Sequence, residues 1–239
     1  MKPIPTRERL IVALDVDTHD EAKALVDRLG DACWFYKVGL QLFMAGNHLE
    51  LIDWLRAREK QVFVDLKFFD IPETVARAVA RMRDCGARFA TLHGNDAIME
   101  AAGAVDRAAS GLQLLAVTVL TSLDRGDLDD LGFPPAMSVE ELVLSRARRA
   151  LAHGVDGVVS SGLEAAALRA ELGDKLLVVS PGIRPVDNRA EEDQKRVMTP
   201  ERAIASGADY LVVGRPIRGA ANPYEAAMAV QKAIAEACK

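Results

Sequence analysis

Four charged residues interrupt apolar segments in the first third of the chain, where buried strands would end. Asp15 follows "LIVAL", Lys37 lies in "FYKVG", and Asp65 and Lys67 lie in "VFVDLKFFD". Because Asp65 and Lys67 are two residues apart, their side chains share one face of a strand. Charges in such segments are costly unless they are paired or used. We interpret the four as candidates for acid–base chemistry and for stabilising a developing charge.

The signs of these charges favour one shared site. Two like charges about 4 Å apart repel by about 4 kcal/mol at an effective dielectric near 20, whereas alternating signs cancel most of that cost. The alternative is that the residues form ion pairs with a purely structural role. Four such charges in one place would carry a large desolvation cost. We therefore expect Asp15, Lys37, Asp65 and Lys67 to form a rigid catalytic array.

Two glycine–arginine pairs later in the chain indicate a phosphate site. Gly182 and Arg184 follow the apolar segment "LLVVS", and Gly214 and Arg215 follow "YLVV". A glycine lets a backbone N–H approach a phosphate oxygen, and an arginine binds two oxygens at once. One such pair would be weak evidence. Two pairs, each directly after a predicted strand, predict a substrate that bears a phosphate group.

Short β-branched apolar runs alternate with amphipathic stretches along the whole chain, which indicates alternating strands and helices. The strands are predicted at residues 10–16, 34–39, 61–67, 88–93, 113–119, 155–160, 175–180 and 209–213. The helices are predicted at residues 20–29, 40–58, 72–84, 97–108, 138–152, 163–172, 200–206 and 223–236. Each of the four charges thus lies near the end of a strand.

Eight β-then-α units in 239 residues predict an α/β fold, a (β/α)8 TIM barrel that forms a single domain over residues 1–239. A doubly wound open sheet shares the alternation, but it usually has a glycine-rich turn after the first strand, which "ALDVDTHDEA" lacks. Two long loops, 120–137 and 181–199, follow strands 5 and 7. They are expected on the C-terminal face, where barrel enzymes hold their sites.

The composition argues against several other classes of protein. With 30 basic and 35 acidic residues, the net charge is −5, which is unfavourable for general nucleic-acid binding. No apolar run approaches the roughly 18 residues of a membrane span, and the polar start lacks a signal-peptide core. Cys33, Cys85 and Cys238 are odd in number and lack metal-type spacing. They fit free thiols, so we expect a cytoplasmic protein with no nucleic-acid or membrane partner.

No cluster of histidines and carboxylates in the sequence suggests a metal site. A lysine between the candidate carboxylates would also repel a cation, so we expect no metal. His93 ends strand 4 without an evident partner, and we interpret it as a hydrogen-bonded structural histidine.

Several segments together resemble a known family. "DLKFFDIPET" matches the D-x-K-x-x-D-I-P-x-T element of the orotidine 5′-phosphate decarboxylase family, and "LIVALD", "FYKVG", "VTVLTS", "SPGIR", "DQKRVMTP" and "YLVVGRPI" keep that family's order and spacing. The resemblance covers nearly the whole chain. We expect the bacterial single-function form, since no phosphoribosyltransferase domain precedes the barrel. The D-x-K-x-x-D element alone is shared with related sugar-phosphate barrels, whereas the full set is highly specific.

The resemblance implies decarboxylation of orotidine 5′-monophosphate to uridine 5′-monophosphate (UMP), the last step of de novo pyrimidine biosynthesis, with no cofactor and no metal. It implies that Lys67 is the general acid that protonates C6 of the pyrimidine as carbon dioxide leaves. Asp65 would sit beside the substrate carboxylate, while Lys37 and Asp15 complete the charge network and contact the ribose. Asp70 would reach the site from the other subunit of a homodimer.

The same resemblance implies which residues bind the rest of the substrate. Thr121 or Ser122 would face the base, and Gln194 would bridge the base and the phosphate. The remaining implied contacts, near Asp70 or at the phosphate, are Ile71, Thr74, Arg184, Gly214 and Arg215. Phosphate binding is expected to drive closure of the 181–199 loop and to desolvate the reacting carbon.

Three other functions are set against this expectation. A sister barrel, such as 3-keto-gulonate 6-phosphate decarboxylase or hexulose phosphate synthase, uses the strand-3 motif around a metal and has a glutamate where this chain has Lys37. Sensitivity to a chelator would separate it from the cofactor-free enzyme. A non-catalytic nucleotide sensor would bind the product and release no carbon dioxide. A purely structural barrel would leave the charged strand ends unexplained.

Overall fold

Eight parallel strands close into a barrel in chain order, with β8 pairing back onto β1. The computed structural model describes residues 2–184 and 196–239. The strands are β1 (Leu10–Ala13), β2 (Phe35–Gly39), β3 (Gln61–Phe68), β4 (Phe89–Leu92), β5 (Gln113–Val117), β6 (Gly157–Val159), β7 (Leu177–Ser180) and β8 (Tyr210–Val213). The closed sheet confirms the predicted (β/α)8 fold and excludes the open doubly wound sheet.

Helices separate successive strands and pack on the outside of the barrel. They are α1 (His19–Leu29), α2 (Leu40–Met44), α3 (His48–Arg56), α4 (Pro72–Asp84), α5 (Asp96–Gly103), α6 (Arg125–Asp130), α7 (Val139–Ala152), α8 (Ala165–Leu172), α9 (Pro200–Ala205), α10 (Arg215–Arg218) and α11 (Pro223–Ala237). Within the two described ranges, no helix is long and apolar enough to cross a membrane.

Two of the differences between the predicted and the observed elements have a clear local cause. The predicted helix 40–58 is two helices, because Gly46, a poor helix former, lies between α2 and α3. The predicted loop 120–137 contains α6. A reciprocal capping box between Asp124 and Asp127 satisfies backbone donors in the first turn of α6, which explains why a helix forms there.

Strand β1 ends at Ala13, earlier than predicted, yet its pairing with β2 continues past that end. The Leu14 N–H donates a hydrogen bond to the Lys37 carbonyl oxygen at 2.9 Å. This contact holds the segment that follows β1 against β2. It therefore delivers Asp15 to the neighbourhood of the Lys37 side chain even though Asp15 lies outside the regular strand.

An apolar layer fills the interior of the barrel beneath its C-terminal opening. The ring centroids of Phe35 and Phe89 are 4.9 Å apart, and those of Phe89 and Tyr210 are 5.0 Å apart. Phe63 and Val212 belong to the same buried cluster and also line the cavity described below. The packed interior is thus the floor of that cavity, and the barrel is a scaffold rather than a channel.

Candidate active site

The four charged residues meet at the C-terminal end of the barrel in a chain of alternating sign. Lys37 Nζ lies 3.0 Å from Asp15 Oδ1 and 3.5 Å from Asp65 Oδ2. Lys67 Nζ lies 2.9 Å from Asp65 Oδ1. The order in space is therefore Asp15, Lys37, Asp65, Lys67, in which every neighbouring pair has opposite charges. The structure brings these side chains together as the strand positions predicted.

The two central groups are held in their charged forms. Burial opposes the charge of Asp65, but the ammonium groups of Lys37 and Lys67, with hydrogen bonds from Lys67 and Thr91, outweigh it and lower the pKa of the carboxyl. Burial also opposes the charge of Lys37, but Asp65 and Asp15 outweigh it and raise the pKa of this ammonium. The array is therefore charged before any ligand arrives, which is the property of a preorganised electrostatic site.

The pairing of strand β3 with β4 is irregular around Lys67. Val64 pairs with Ala90 of β4, but Phe68 pairs with Leu92, so β3 accommodates two additional residues between these pairs. Lys67 has a φ of 50°, in the left-handed region that side-chain-bearing residues rarely adopt. Such strain persists only where the surrounding structure imposes it, and it is concentrated at functional sites.

A cavity of about 560 Å³ opens beside the charge chain, a volume within the range of small-molecule sites. It is lined by residues of the charge array, of the loop after β5 and of the loops after β7 and β8. The predicted site residues that line it are Asp15, Lys37, Asp65, Lys67, Thr121, Ser122, Gly182, Arg184, Gly214 and Arg215. A Cβ added to Gly214 would lie 3.8 Å from Asp15 Oδ2, so the glycine–arginine side directly adjoins the charge array.

The loop after β7 returns to the barrel close to where it leaves. Ile183 and Met198 form an isolated parallel bridge, and the Met198 N–H donates to the Gly182 carbonyl oxygen at 3.1 Å. Gln194, predicted to bridge base and phosphate, lies in residues 185–195, outside the described part of the chain. The predicted closure of this loop concerns the same undescribed residues.

Arg196 fixes the returning end of this loop to the loop after β5. Its guanidinium lies 2.6 Å from Glu164 Oε1 and donates to the carbonyl oxygens of Val119 and Leu120 at 3.1 and 3.0 Å. Burial raises the pKa of Glu164, although Arg196 opposes that shift. Val119 and Leu120 directly precede Thr121 in the cavity wall, so the two loops are held in a fixed relation.

Three predicted site residues do not line the described cavity of their own chain. Asp70, Ile71 and Thr74 are all exposed, and none is among the described residues that line the cavity. Asp70 Oδ1 accepts the N–H of Ile71 at 2.7 Å. Ile71 is itself the N-cap of α4, and no side chain caps that end of the helix. Asp70 therefore does not serve as the N-cap of this helix.

His93 makes packing contacts next to the site. Its ring lies edge-on to the ring of Phe69, with the centroids 5.8 Å apart, and its backbone N–H donates to the Phe68 carbonyl oxygen at 2.9 Å. Burial, with the positive charges of Arg146 and Lys67, lowers the pKa of its imidazole. A neutral, packed histidine agrees with a structural role, although the observed ring contact is aromatic.

The structure adds residues that sequence reasoning missed. Thr91, fully buried on β4, donates a hydrogen bond to Asp65 Oδ1 at 2.9 Å. A Cβ added to Gly39 would lie 3.2 Å from Lys37 Nζ, so this glycine leaves room for the ammonium group. Arg218 lines the cavity one helical turn after the first arginine of α10. The available signals were a lone hydroxyl in the apolar run "FATL", a glycine two residues after Lys37 and the spacing of the two arginines.

Comparisons with known proteins by family model, by sequence and by structure all point to one family. Residues 8–230 match the model of the orotidine 5′-phosphate decarboxylase / HUMPS family. The chain is 64% identical over 233 residues to the orotidine 5′-phosphate decarboxylase of Methylococcus capsulatus, over 98% of this chain and 94% of that protein. It is 53% identical over 231 residues to that of Rhodopseudomonas palustris, over 97% and 96%. A crystal structure of the Lactobacillus acidophilus enzyme matches with a TM-score of 0.82 and 34% identity, over 95% of this chain and 99% of that one.

Proposed function

The chain belongs to the orotidine 5′-phosphate decarboxylase / HUMPS family, and on this premise we propose that it converts orotidine 5′-monophosphate to UMP and carbon dioxide. This reaction is the last step of UMP biosynthesis. The family model and the high identity to enzymes of that name along almost the whole chain support the assignment. The site supports the mechanism argued below.

The observation that carries the mechanism is the position of Lys67 at the cavity end of the charge chain. Its side chain is 31% exposed and lines the cavity, whereas those of Lys37 and Asp65 are 12% and 14% exposed. Lys67 is therefore accessible to a bound molecule, while the two groups behind it fix the charge distribution. A proton donor placed in this way can act on a substrate carbon.

Decarboxylation breaks the bond between C6 and the carboxylate and leaves the electron pair on C6. Without an electron-sink cofactor the carbanion is poorly stabilised, so the site must supply stabilisation toward the upper part of the ~8–23 kcal/mol that enzymes provide. The Lys67 ammonium stabilises this charge and then transfers its proton to C6. Asp65, beside the substrate carboxylate, raises the free energy of the bound substrate by charge repulsion. This repulsion alone would not supply the stabilisation that the carbanion needs.

The remaining cavity residues bind the parts of the substrate that do not react. We assign the phosphate to Arg184, Gly214 and Arg215, because guanidinium groups and a glycine backbone suit phosphate oxygens. Thr121 or Ser122 faces the base. Binding energy from the distant phosphate is used to hold C6 against Lys67, which raises the rate of the chemical step rather than only the affinity.

The protein acts as a homodimer in which Asp70 of one subunit completes the site of the other, with Ile71 and Thr74 near it. Support comes from the exposure of this segment and from its absence among the described residues of its own cavity. Phe69 and Ile71 are 69% and 67% exposed, and large exposed apolar side chains next to a site are typical of an interface. Met44, at the end of α2, is another large apolar side chain that is exposed, at 80%.

A metal-dependent sugar-phosphate reaction is the alternative within the same family, and the charge array does not favour it. Lys37 Nζ lies between Asp15 and Asp65, at 3.0 and 3.5 Å from their oxygens. The ammonium therefore occupies the position that a divalent cation would need between those carboxylates. In the described part of the chain, no group of three His, Cys, Asp or Glu residues could hold a metal.

We further propose that the enzyme needs no cofactor and works in the cytoplasm. All three cysteines, Cys33, Cys85 and Cys238, are free thiols, as in proteins of a reducing compartment. The test of the proposed function is the fall in substrate absorbance and the release of carbon dioxide when purified protein meets orotidine 5′-monophosphate in EDTA. We expect one UMP per carbon dioxide and no effect of the chelator. No turnover of this substrate, together with EDTA-sensitive turnover of 3-keto-gulonate 6-phosphate, would instead support the metal-dependent alternative.

A further inference from the structure

A closed ring of hydrogen bonds ties both ends of Lys67 to one buried hydroxyl group. The Lys67 backbone N–H donates to Thr91 Oγ1 at 2.9 Å, and Thr91 Oγ1 donates to Asp65 Oδ1 at 2.9 Å. The same Asp65 oxygen accepts from Lys67 Nζ at 2.9 Å. The backbone and the ammonium of Lys67 are thus connected through Thr91 and Asp65.

Packing alone does not explain a hydroxyl group at position 91. Thr91 is fully buried on β4, between the apolar residues Ala90 and Leu92. A buried hydroxyl is costly unless it is hydrogen-bonded, and a valine would fill the same volume without that requirement. Here the hydroxyl both accepts and donates, and both partners belong to the charge array.

The Thr91 hydroxyl also supports an unusual backbone conformation at Lys67. Lys67 has a φ of 50°, and the pairing of β3 with β4 is irregular between Val64 and Phe68. Because regular pairing is interrupted there, the Lys67 N–H donates to a side chain of β4, the Thr91 hydroxyl. This bond stabilises a conformation that an L-residue otherwise avoids.

We propose that Thr91 is a positioning residue, whose hydroxyl fixes the Lys67 ammonium relative to the Asp65 carboxylate. Thr91 does not line the cavity among the described residues, so it acts through these two partners rather than on the substrate. The inference rests on the proposed function, because the geometry matters only where Lys67 transfers a proton beside Asp65. A misplacement of about 1 Å is enough to cost on the order of 100-fold in rate.

The test compares Thr91→Val, which keeps the shape and removes the hydroxyl, with Thr91→Ser, which keeps the hydroxyl. Thr118→Val is the matched control, because Thr118 is equally buried and its hydroxyl donates to the Val159 carbonyl oxygen, at 2.9 Å, rather than to the charge array. Turnover of orotidine 5′-monophosphate, affinity for UMP and thermal stability are measured for each variant. Crystal structures of the wild type and of Thr91→Val give the distance from Lys67 Nζ to Asp65.

We expect Thr91→Val to lose about 10- to 100-fold in kcat, the rate equivalent of one hydrogen bond to a charged group. Its affinity for UMP should stay within about threefold, since the lost contact serves the proton transfer. Thr91→Ser should stay within about threefold of wild-type kcat, as should Thr118→Val. In the crystal structure of Thr91→Val, the Lys67–Asp65 contact should be longer or differently oriented than in the wild type.

The proposal is overturned if Thr91→Val keeps its kcat, if Thr91→Ser is as slow as Thr91→Val, or if Thr118→Val loses as much. It is also overturned if the Lys67–Asp65 geometry is unchanged in the Thr91→Val crystal. That structural result decides the point even if the wild type does not decarboxylate this substrate, which would refute the proposed function instead. Should Thr91→Val not fold, Thr91→Cys, with its weaker donor, replaces it under the same criteria.

Discussion

Replacing Lys37 by methionine is the perturbation that probes the charge array most simply. Methionine keeps an unbranched apolar stem of similar length and removes only the ammonium group. In the wild type that group lies 3.0 Å from Asp15 and 3.5 Å from Asp65. Its removal therefore leaves a buried carboxylate with one cationic partner fewer.

The size of the effect follows from these distances. At 3.5 Å and an effective dielectric near 20, the attraction between Lys37 and Asp65 is about 5 kcal/mol before desolvation is subtracted. Asp15 is 42% exposed, so water screens its attraction to Lys37 and that pair adds little to the cost. Breaking a buried ion pair on one side costs about 3–5 kcal/mol, and Asp65 keeps Lys67, so we expect about 3 kcal/mol. For a chain of this size that corresponds to a fall of about 6–12 °C in Tm.

The difference in stability between wild type and Lys37→Met should depend on pH. The pKa of Asp65 is below its ordinary value, so its stabilising contribution is present above that ordinary value and is lost as pH falls through the folded pKa. The pKa of Lys37 is raised, so its contribution is present below its ordinary value and is lost as pH rises through the folded pKa. Without Lys37, the pKa of Asp65 should rise. The stability gap between wild type and Lys37→Met should therefore be largest near neutral pH and should narrow toward about pH 4 and above about pH 10.5.

Thermal unfolding of the two proteins at matched concentration, near pH 7.5 and again near pH 4, measures this gap. Lys232→Met is the control, because Lys232 is 78% exposed and only 3.9 Å from Glu236, and such a surface pair contributes at most about 1 kcal/mol. A Tm for Lys37→Met within about 2 °C of wild type near neutral pH would refute the reasoning. A gap that widens in acid would refute the assigned direction of the Asp65 pKa.

Two further predictions concern the substrate and the subunits. Arg215→Ala should raise KM strongly and lower kcat for orotidine 5′-monophosphate, yet change little for orotidine, which lacks the phosphate; an equal loss on both would remove Arg215 from the phosphate site. Lys67→Ala and Asp70→Ala should each be nearly inactive, but a mixture that exchanges subunits should regain about a quarter of wild-type activity, since half the dimers are mixed and half their sites are intact. Demonstrated exchange without recovery would contradict the shared site.

The convergence of the charge array was predictable because it depends on barrel topology. In a parallel barrel the C-terminal strand ends meet at one rim, so Asp15, Lys37 and Asp65 needed only correct strand assignments to be placed together. The same reasoning located Arg184 and Arg215 after the last two strands. These predictions tolerate errors of a few residues, as the early end of β1 shows.

Other parts of the site depend on details that residue patterns do not encode. Simple alternation along β3 predicts the face of Lys67 but not its φ of 50° or the irregular pairing with β4. Thr91 acquires its role only through that irregularity, and a single threonine in a strand is usually a packing residue. The contact of Arg196 with Glu164 joins two loops that are distant in sequence, and only the folded chain brings them together.

The central claim is that Lys67 donates the proton in a cofactor-free decarboxylation. The measurement that tests it most directly is the kcat of Lys67→Ala beside wild type on orotidine 5′-monophosphate in EDTA, with the affinity of both proteins for UMP determined in parallel. Because general acid catalysis is typically worth 10²–10⁴-fold, we predict a loss of at least about 100-fold in kcat, with UMP binding largely preserved. A variant that keeps more than about a hundredth of wild-type kcat would show that another group supplies the proton to C6.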